Sequence, residues 1–125
     1  MPVKGAGQQI HAEVTRWEEV ENAPHRFGGT EYRLGYREVG HIHGDSLVDI
    51  PFPISVRNEL VESGMAEPHH VLPKSGWVSI FLRNPADVER AVQLLRRSYE
   101  MACSSQTRSK QPRVDLVRPS SRFQQ

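Results

Sequence analysis

The segment from Asn84 to Ala102 constrains the fold most, because it carries both a start signal and a sustained apolar stripe. Asn84 stands as a helix N-cap, Pro85 occupies the first helical position, where its missing N–H costs nothing, and Asp87 adds a negative charge to the first turn. Val88, Val92, Leu95, Tyr99 and Ala102 then recur at spacings of four, three, four and three, with Ala91 and Leu94 widening the stripe. A helix with so broad an apolar face needs a partner layer, and the rest of the chain must supply it.

The segment from Glu31 to His43 has the other periodicity. Aromatic and aliphatic residues alternate with charges, as half-buried strands require, and Gly35 marks a turn or bulge between two of them. After Gly44-Asp45 a third strand, Ser46 to Ile50, ends at Pro51-Phe52-Pro53, and another runs from Trp77 to Leu82. A helix is expected from about Gln8 to Val20 on Ile10, Val14, Trp17 and Val20, stopped by Asn22-Ala23-Pro24. A short middle helix buries Val56, Leu60 and Val61 and closes at Ser63-Gly64. The expected fold class is α+β: an antiparallel sheet of about four to six strands packed against helices in two layers.

At 125 residues the chain accommodates one domain, placed at 1–103. The net charge of +1 conceals an asymmetry: residues 104–125 hold five basic groups against Asp115, or +4, whereas residues 1–103 hold 11 basic and 14 acidic, or −3. The segment 104–125 reads as a basic, disordered tail, and nucleic-acid contact, if any, belongs to it. No apolar run is long enough to span a bilayer and Met1 to Gly7 lacks the apolar stretch of a secretion signal, so the expected location is the cytoplasm, with no membrane partner. Cys103 is the only cysteine, which excludes an internal disulfide and any multi-thiolate metal site. Phosphate-loop and nucleophile-elbow motifs are absent, so nucleotide cofactors and serine hydrolysis are not implied.

Histidine is the chemistry-bearing surplus. His41 and His43, two apart in a strand, share a face, and Gly44 permits a turn that returns Asp45 toward them. Two imidazoles and a carboxylate can bind a divalent ion or form a polar pocket; the pocket is preferred, with no metal and no organic cofactor expected. His69 and His70 are adjacent, so in extended backbone only one of them enters a given site. The candidate catalytic residues are His41, His43, Asp45 and His70; the candidate ligand-binding residues are Asp49, His69, Trp77, Arg57 and Arg83. His11 and His25 read as incidental.

The ordered series His41-Ile42-His43-Gly44-Asp45, Asp49-Ile50-Pro51-Phe52-Pro53, Val56-Arg57-Asn58-Glu59-Leu60, Ala66 to Pro73, Ser75-Gly76-Trp77-Val78-Ser79 and Asp87 to Glu100 resembles bacterial members of the luciferase-domain family. These small proteins, mostly of unknown function, are named for their similarity to fungal luciferase. The resemblance spans roughly residues 10–102. A fainter similarity to YjbR-like proteins, carried by a Trp-bearing strand followed by a helix ending in Ser98-Tyr99-Glu100, implies a compact α+β domain. What the luciferase resemblance implies is oxygenase-like chemistry on an enolisable small molecule without a cofactor, with a histidine as base. The alternative is a non-catalytic module that contacts protein or nucleic acid through its surface and basic tail.

Overall fold

A computed structural model describes residues 3–25 and 28–110, with side chains described to residue 105. The elements are α1 (Ala6–Val14), β1 (Glu21–Pro24), β2 (Thr30–Leu34), β3 (Arg37–His43), β4 (Leu47–Pro51), α2 (Ile54–Glu62), β5 (Glu67–Pro68), β6 (Trp77–Phe81) and α3 (Pro85–Lys110). The strands form one six-stranded antiparallel sheet in the order β1-β2-β3-β4-β6-β5. The α+β expectation holds, with the strand count at its upper end.

Strand alternation divides the sheet into two chemistries. Tyr32, Ile42, Val48, Ile50, Val78 and Ile80 are buried and belong to the core shared with Val88, Ala91, Leu94, Leu95 and Tyr99 of α3 and with Ile10 and Val14 of α1. The registers place Glu31 opposite His41, His41 opposite Asp49, and Asp49 opposite Ser79, so these four side chains cross β2, β3, β4 and β6 as one row on the other face. The apolar face makes the core, and the polar face is left to make a site.

One irregularity shapes that site. Tyr32 pairs with Gly40 but Arg33 pairs with Glu38, so Val39 is an extra residue, a β-bulge. Its carbonyl accepts a hydrogen bond from the buried Ser98 Oγ of α3 at 2.8 Å. In a regular strand Glu38 and His41, three apart, would face opposite ways; the bulge puts them on one face.

The N-terminal helix ends at Val14, short of the expected Val20. Thr15 Oγ1 bonds back to the His11 carbonyl at 2.7 Å, Glu19 takes a positive φ of 67°, and Trp17 reaches the core from a turn, 5.3 Å from the Tyr99 ring. Asn22-Ala23-Pro24, expected only as a stop, forms the edge strand β1; Pro24 is tolerated there because an edge leaves one N–H direction unused. At the other end, α3 continues through 104–110, and the remainder of the expected tail, 111–125, lies outside the described residues.

The start of α3 is capped reciprocally. Asn84 Oδ1 accepts from the Asp87 N–H at 3.0 Å, while Asp87 Oδ2 accepts from the Arg83 and Asn84 N–H groups at 2.8 and 3.2 Å. Asp87→Ala is expected to cost about 1–2 kcal/mol of stability, read as a lowered urea midpoint with unchanged slope. A change below a few tenths would mean that the cap contributes nothing.

Candidate functional site

The polar face opens into a cavity of about 790 Å³ whose walls include His25, Glu38, His41, His43, Asp49, His69, His70 and Trp77. That volume falls in the range of small-molecule sites. At its floor Asp49, 1% exposed, is the hub. Asp49 Oδ1 accepts from Ser79 Oγ at 2.6 Å. Asp49 Oδ2 faces three imidazoles: Nε2 of His41 at 3.2 Å, of His43 at 3.3 Å and of His69 at 3.5 Å.

Three different local causes bring those rings together. His41 and His43 share a face of β3, as their spacing requires. Asp49 is the cross-strand partner of His41. His69 follows β5, a strand of only two residues, so beyond Pro68 the backbone leaves the sheet and the alternation rule no longer applies. Both His69 and His70 therefore reach the cavity, their rings stacked at 4.6 Å and 17°. Extended-backbone reasoning admitted only one of them.

The protonation states differ because the surroundings do. Burial works against a charged His41, but hydrogen bonds to Asp49 and to Glu38, whose Oε2 lies 2.7 Å from His41 Nδ1, outweigh it and raise the pKa to about 9. His41 is thus an imidazolium at neutral pH, with a carboxylate at each nitrogen. Burial, then repulsion from His41, lowers the pKa of His43, outweighing the Asp49 carboxylate. Burial likewise lowers that of His69. Burial pushes Asp49 up, yet hydrogen bonds from His41 and Ser79 hold it below the usual carboxylate range. His69 Nδ1 accepts the N–H groups of Val71 and Leu72, both at 3.1 Å, so its proton resides on Nε2. The cavity thus combines a cation, a carboxylate and neutral imidazoles, a set suited to stabilising an anion and moving a proton.

Other expected residues stand elsewhere. Asp45 turns toward α1, where Oδ1 accepts from the Gly7 N–H at 2.8 Å and Oδ2 from the Gly5 N–H at 3.0 Å; those bonds lower its pKa. Its carboxylate serves the start of a helix and does not line the cavity. Arg57 donates to the Pro73 carbonyl and to Asn58 Oδ1, and Arg83 pairs with Glu67 at 3.2 Å while lying 5.0 Å from the Phe81 ring centroid; neither lines the cavity. Trp77 does, with its ring 5.2 Å from that of His41.

Three participants escaped the sequence reading, among them Ser79, which no spacing tied to Asp49. Glu38 had no visible link to His41 until the bulge supplied one. His25, expected to be incidental, brings its ring to 4.0 Å from that of His41 because the unforeseen strand β1 delivers it there. His11 stays outside the cavity, with Nδ1 2.8 Å from the Tyr32 hydroxyl.

A model of the Luciferase domain family matches residues 36–98, half of the chain. The chain belongs to that family. Every member of the Asp49 cluster lies within the match, whereas His25 lies before it. No curated protein and no solved structure matches this luciferase-domain chain, so the YjbR-like similarity rests on its sequence motifs alone. Among the described residues of the luciferase-domain chain, no helix is long and apolar enough to cross a membrane.

Proposed function

We propose that this luciferase-domain chain is a small-molecule-binding domain that removes a proton from an enol or an acidic carbon, the opening step of oxygenase-like chemistry. The observation that carries the reading is the convergence of five imidazoles and the buried Asp49 carboxylate on one cavity. His41, positively charged and held between Glu38 and Asp49, would stabilise the negative charge that develops on the ligand. Neutral His43 provides the proton-accepting capacity at the floor, while His69, its Nδ1 occupied and its proton on Nε2, acts as a hydrogen-bond donor beside it. Trp77 and the stacked His69–His70 pair give flat walls for a planar ligand. Asp45, Arg57 and Arg83, which lie outside the cavity, have no part in this reading.

Titration of the full chain with a panel of phenolic and pyrone ligands, followed by tryptophan emission and NMR, tests it. Saturable binding is expected for wild type, weakened about tenfold or more in His43→Ala, as loss of one hydrogen-bonding group to a charged ligand implies. If neither protein shows saturable binding to any member of the panel, the pocket has no such ligand and the reading falls.

A further inference from the structure

We infer that His41 Nε2, His43 Nε2 and Asp49 Oδ2 form a binding site for a divalent transition-metal ion at the floor of the cavity. The inference rests on the small-molecule reading and deepens it by changing the role of His41. The ion would displace the His41 Nε2 proton to solvent, leaving Nδ1–H on Glu38, and the ion's charge, in place of the imidazolium's, would take a ligand oxygen. Two donor atoms each about 2.1 Å from a common ion, at an angle of about 90–109°, stand about 3.0–3.4 Å apart. The two imidazole nitrogens stand 3.2 and 3.3 Å from Asp49 Oδ2. All the ligand atoms of this group lie within 4.8 Å of one another. Two imidazoles and one carboxylate leave coordination positions free, and they lie on the wall of a cavity large enough for a ligand to occupy them.

The surrounding atoms are arranged as a metal site requires. A metal-bound imidazole ordinarily donates its other N–H to a carboxylate, and His41 Nδ1 is 2.7 Å from Glu38 Oε2. A ligating carboxylate is itself held, and Asp49 Oδ1 accepts from Ser79 Oγ at 2.6 Å. Neither contact uses an atom the ion would need. Of the three imidazoles around Asp49 Oδ2, only His41 makes an aligned hydrogen bond to it; His43 lies at bonding distance without that alignment.

His69 is excluded from the ligand set by its tautomer. Its Nδ1 lone pair accepts the Val71 and Leu72 N–H groups, so Nε2 keeps its proton and has no lone pair to offer. It remains a hydrogen-bond donor beside the site. Oxygen and nitrogen donors without thiolate suit zinc, cobalt or iron in the divalent state better than copper(I).

The test uses the full chain, stripped with chelator and titrated with cobalt(II) chloride while visible d–d absorption is followed. The expected result is a band saturating at one equivalent and displaced by zinc(II). His43→Gln and Asp49→Asn should each weaken binding at least about 100-fold, more than the 10–100-fold expected of the positioning residue in Glu38→Gln, which touches only His41. His69→Gln and the outlying His11→Gln should keep one equivalent. If Asp49→Asn loses its fold by circular dichroism, the half-buried His43→Gln variant alone decides. No band in wild type, an unchanged band in His43→Gln, or loss of the band in His69→Gln overturns the assignment. Phenolic or pyrone binding by the chelated chain without any cobalt band would sink the metal site and leave the pocket reading standing. A one-equivalent cobalt band without organic binding would do the reverse.

Discussion

In chelated, ion-free protein, the free energy of unfolding should fall by about 3 kcal/mol as pH rises from 6.5 to about 9. The cause is His41, whose pKa is 6.5 in an unfolded chain and about 9 in the folded one. Below 6.5 both states carry the proton and the stabilisation is fully present; through 9 the folded state loses it, and at about 1.4 kcal/mol per pKa unit the shift sets the size of the effect. His43 and His69 act in the opposite sense and in a different window. Their folded pKa values are lowered, so protonating them costs stability only as pH falls below 6.5. Asp49, also lowered, loses its contribution in the acid range below the ordinary carboxylate value. Stability should therefore peak near pH 6.5, between an alkaline limb owned by His41 and an acid limb owned by the other groups. Urea unfolding at a series of pH values measures both limbs, and NMR titration of the His41 ring assigns the first. Asp49→Asn and Glu38→Gln should each flatten the alkaline limb, because each removes one of the two carboxylates that hold the proton. A flat profile from pH 6.5 to 9, or a His41 ring titrating at or below 6.5, would refute this account of the cluster.

The alkaline limb depends on contacts that the sequence reveals only in part. His41 and His43 on one face followed from their spacing, and the antiparallel hairpin to the strand holding Asp49 followed from the Gly44-Asp45 turn. What spacing cannot show is cross-strand register, which decides that Asp49 and not Asp45 faces His41. Asp45, nearer in sequence, is drawn off by the free N–H groups at the start of α1, a demand made by an element forty residues away. Glu38 was hidden for a related reason: the bulge that aims it at His41 is stabilised by Ser98, on the last helix. That His69 and His70 both reach the cavity was hidden because a two-residue strand ends the alternation just before them. The core, by contrast, was largely legible. The α3 stripe appears almost as written, with Ala91 and Leu94 buried and Val92 at the margin, since helical periodicity is a local property and needs no partner to be read.

The second large effect concerns the link from β1 to β2, where Gly28 and Gly29 look interchangeable in sequence and are not. Both take positive φ, 96° and 83°, so an alanine at either is strained by roughly 1 kcal/mol or more. A Cβ on Gly28 would meet nothing within 4 Å. One on Gly29 would lie 2.0 Å from the Ile42 carbonyl oxygen, a backbone atom that cannot swing aside as a side chain can. Gly28→Ala should therefore cost about 1 kcal/mol and Gly29→Ala about 3 kcal/mol or more, the latter in the range reserved for overpacked interiors. Urea unfolding of the two variants side by side measures the difference, and equal costs would show that the close approach is absent. The location gives the larger effect a second readout. Ile42 sits between His41 and His43, and the Gly29 carbonyl accepts the N–H of His25, so pushing the Ile42 carbonyl outward moves β3 and the His25 segment together. Gly29→Ala should shift the His41, His43 and His25 ring resonances even in the fraction that stays folded, whereas Gly28→Ala should leave them in place. Separate movement of stability and ring resonances would mean that the Gly29 contact supports the sheet without setting the geometry of the cluster.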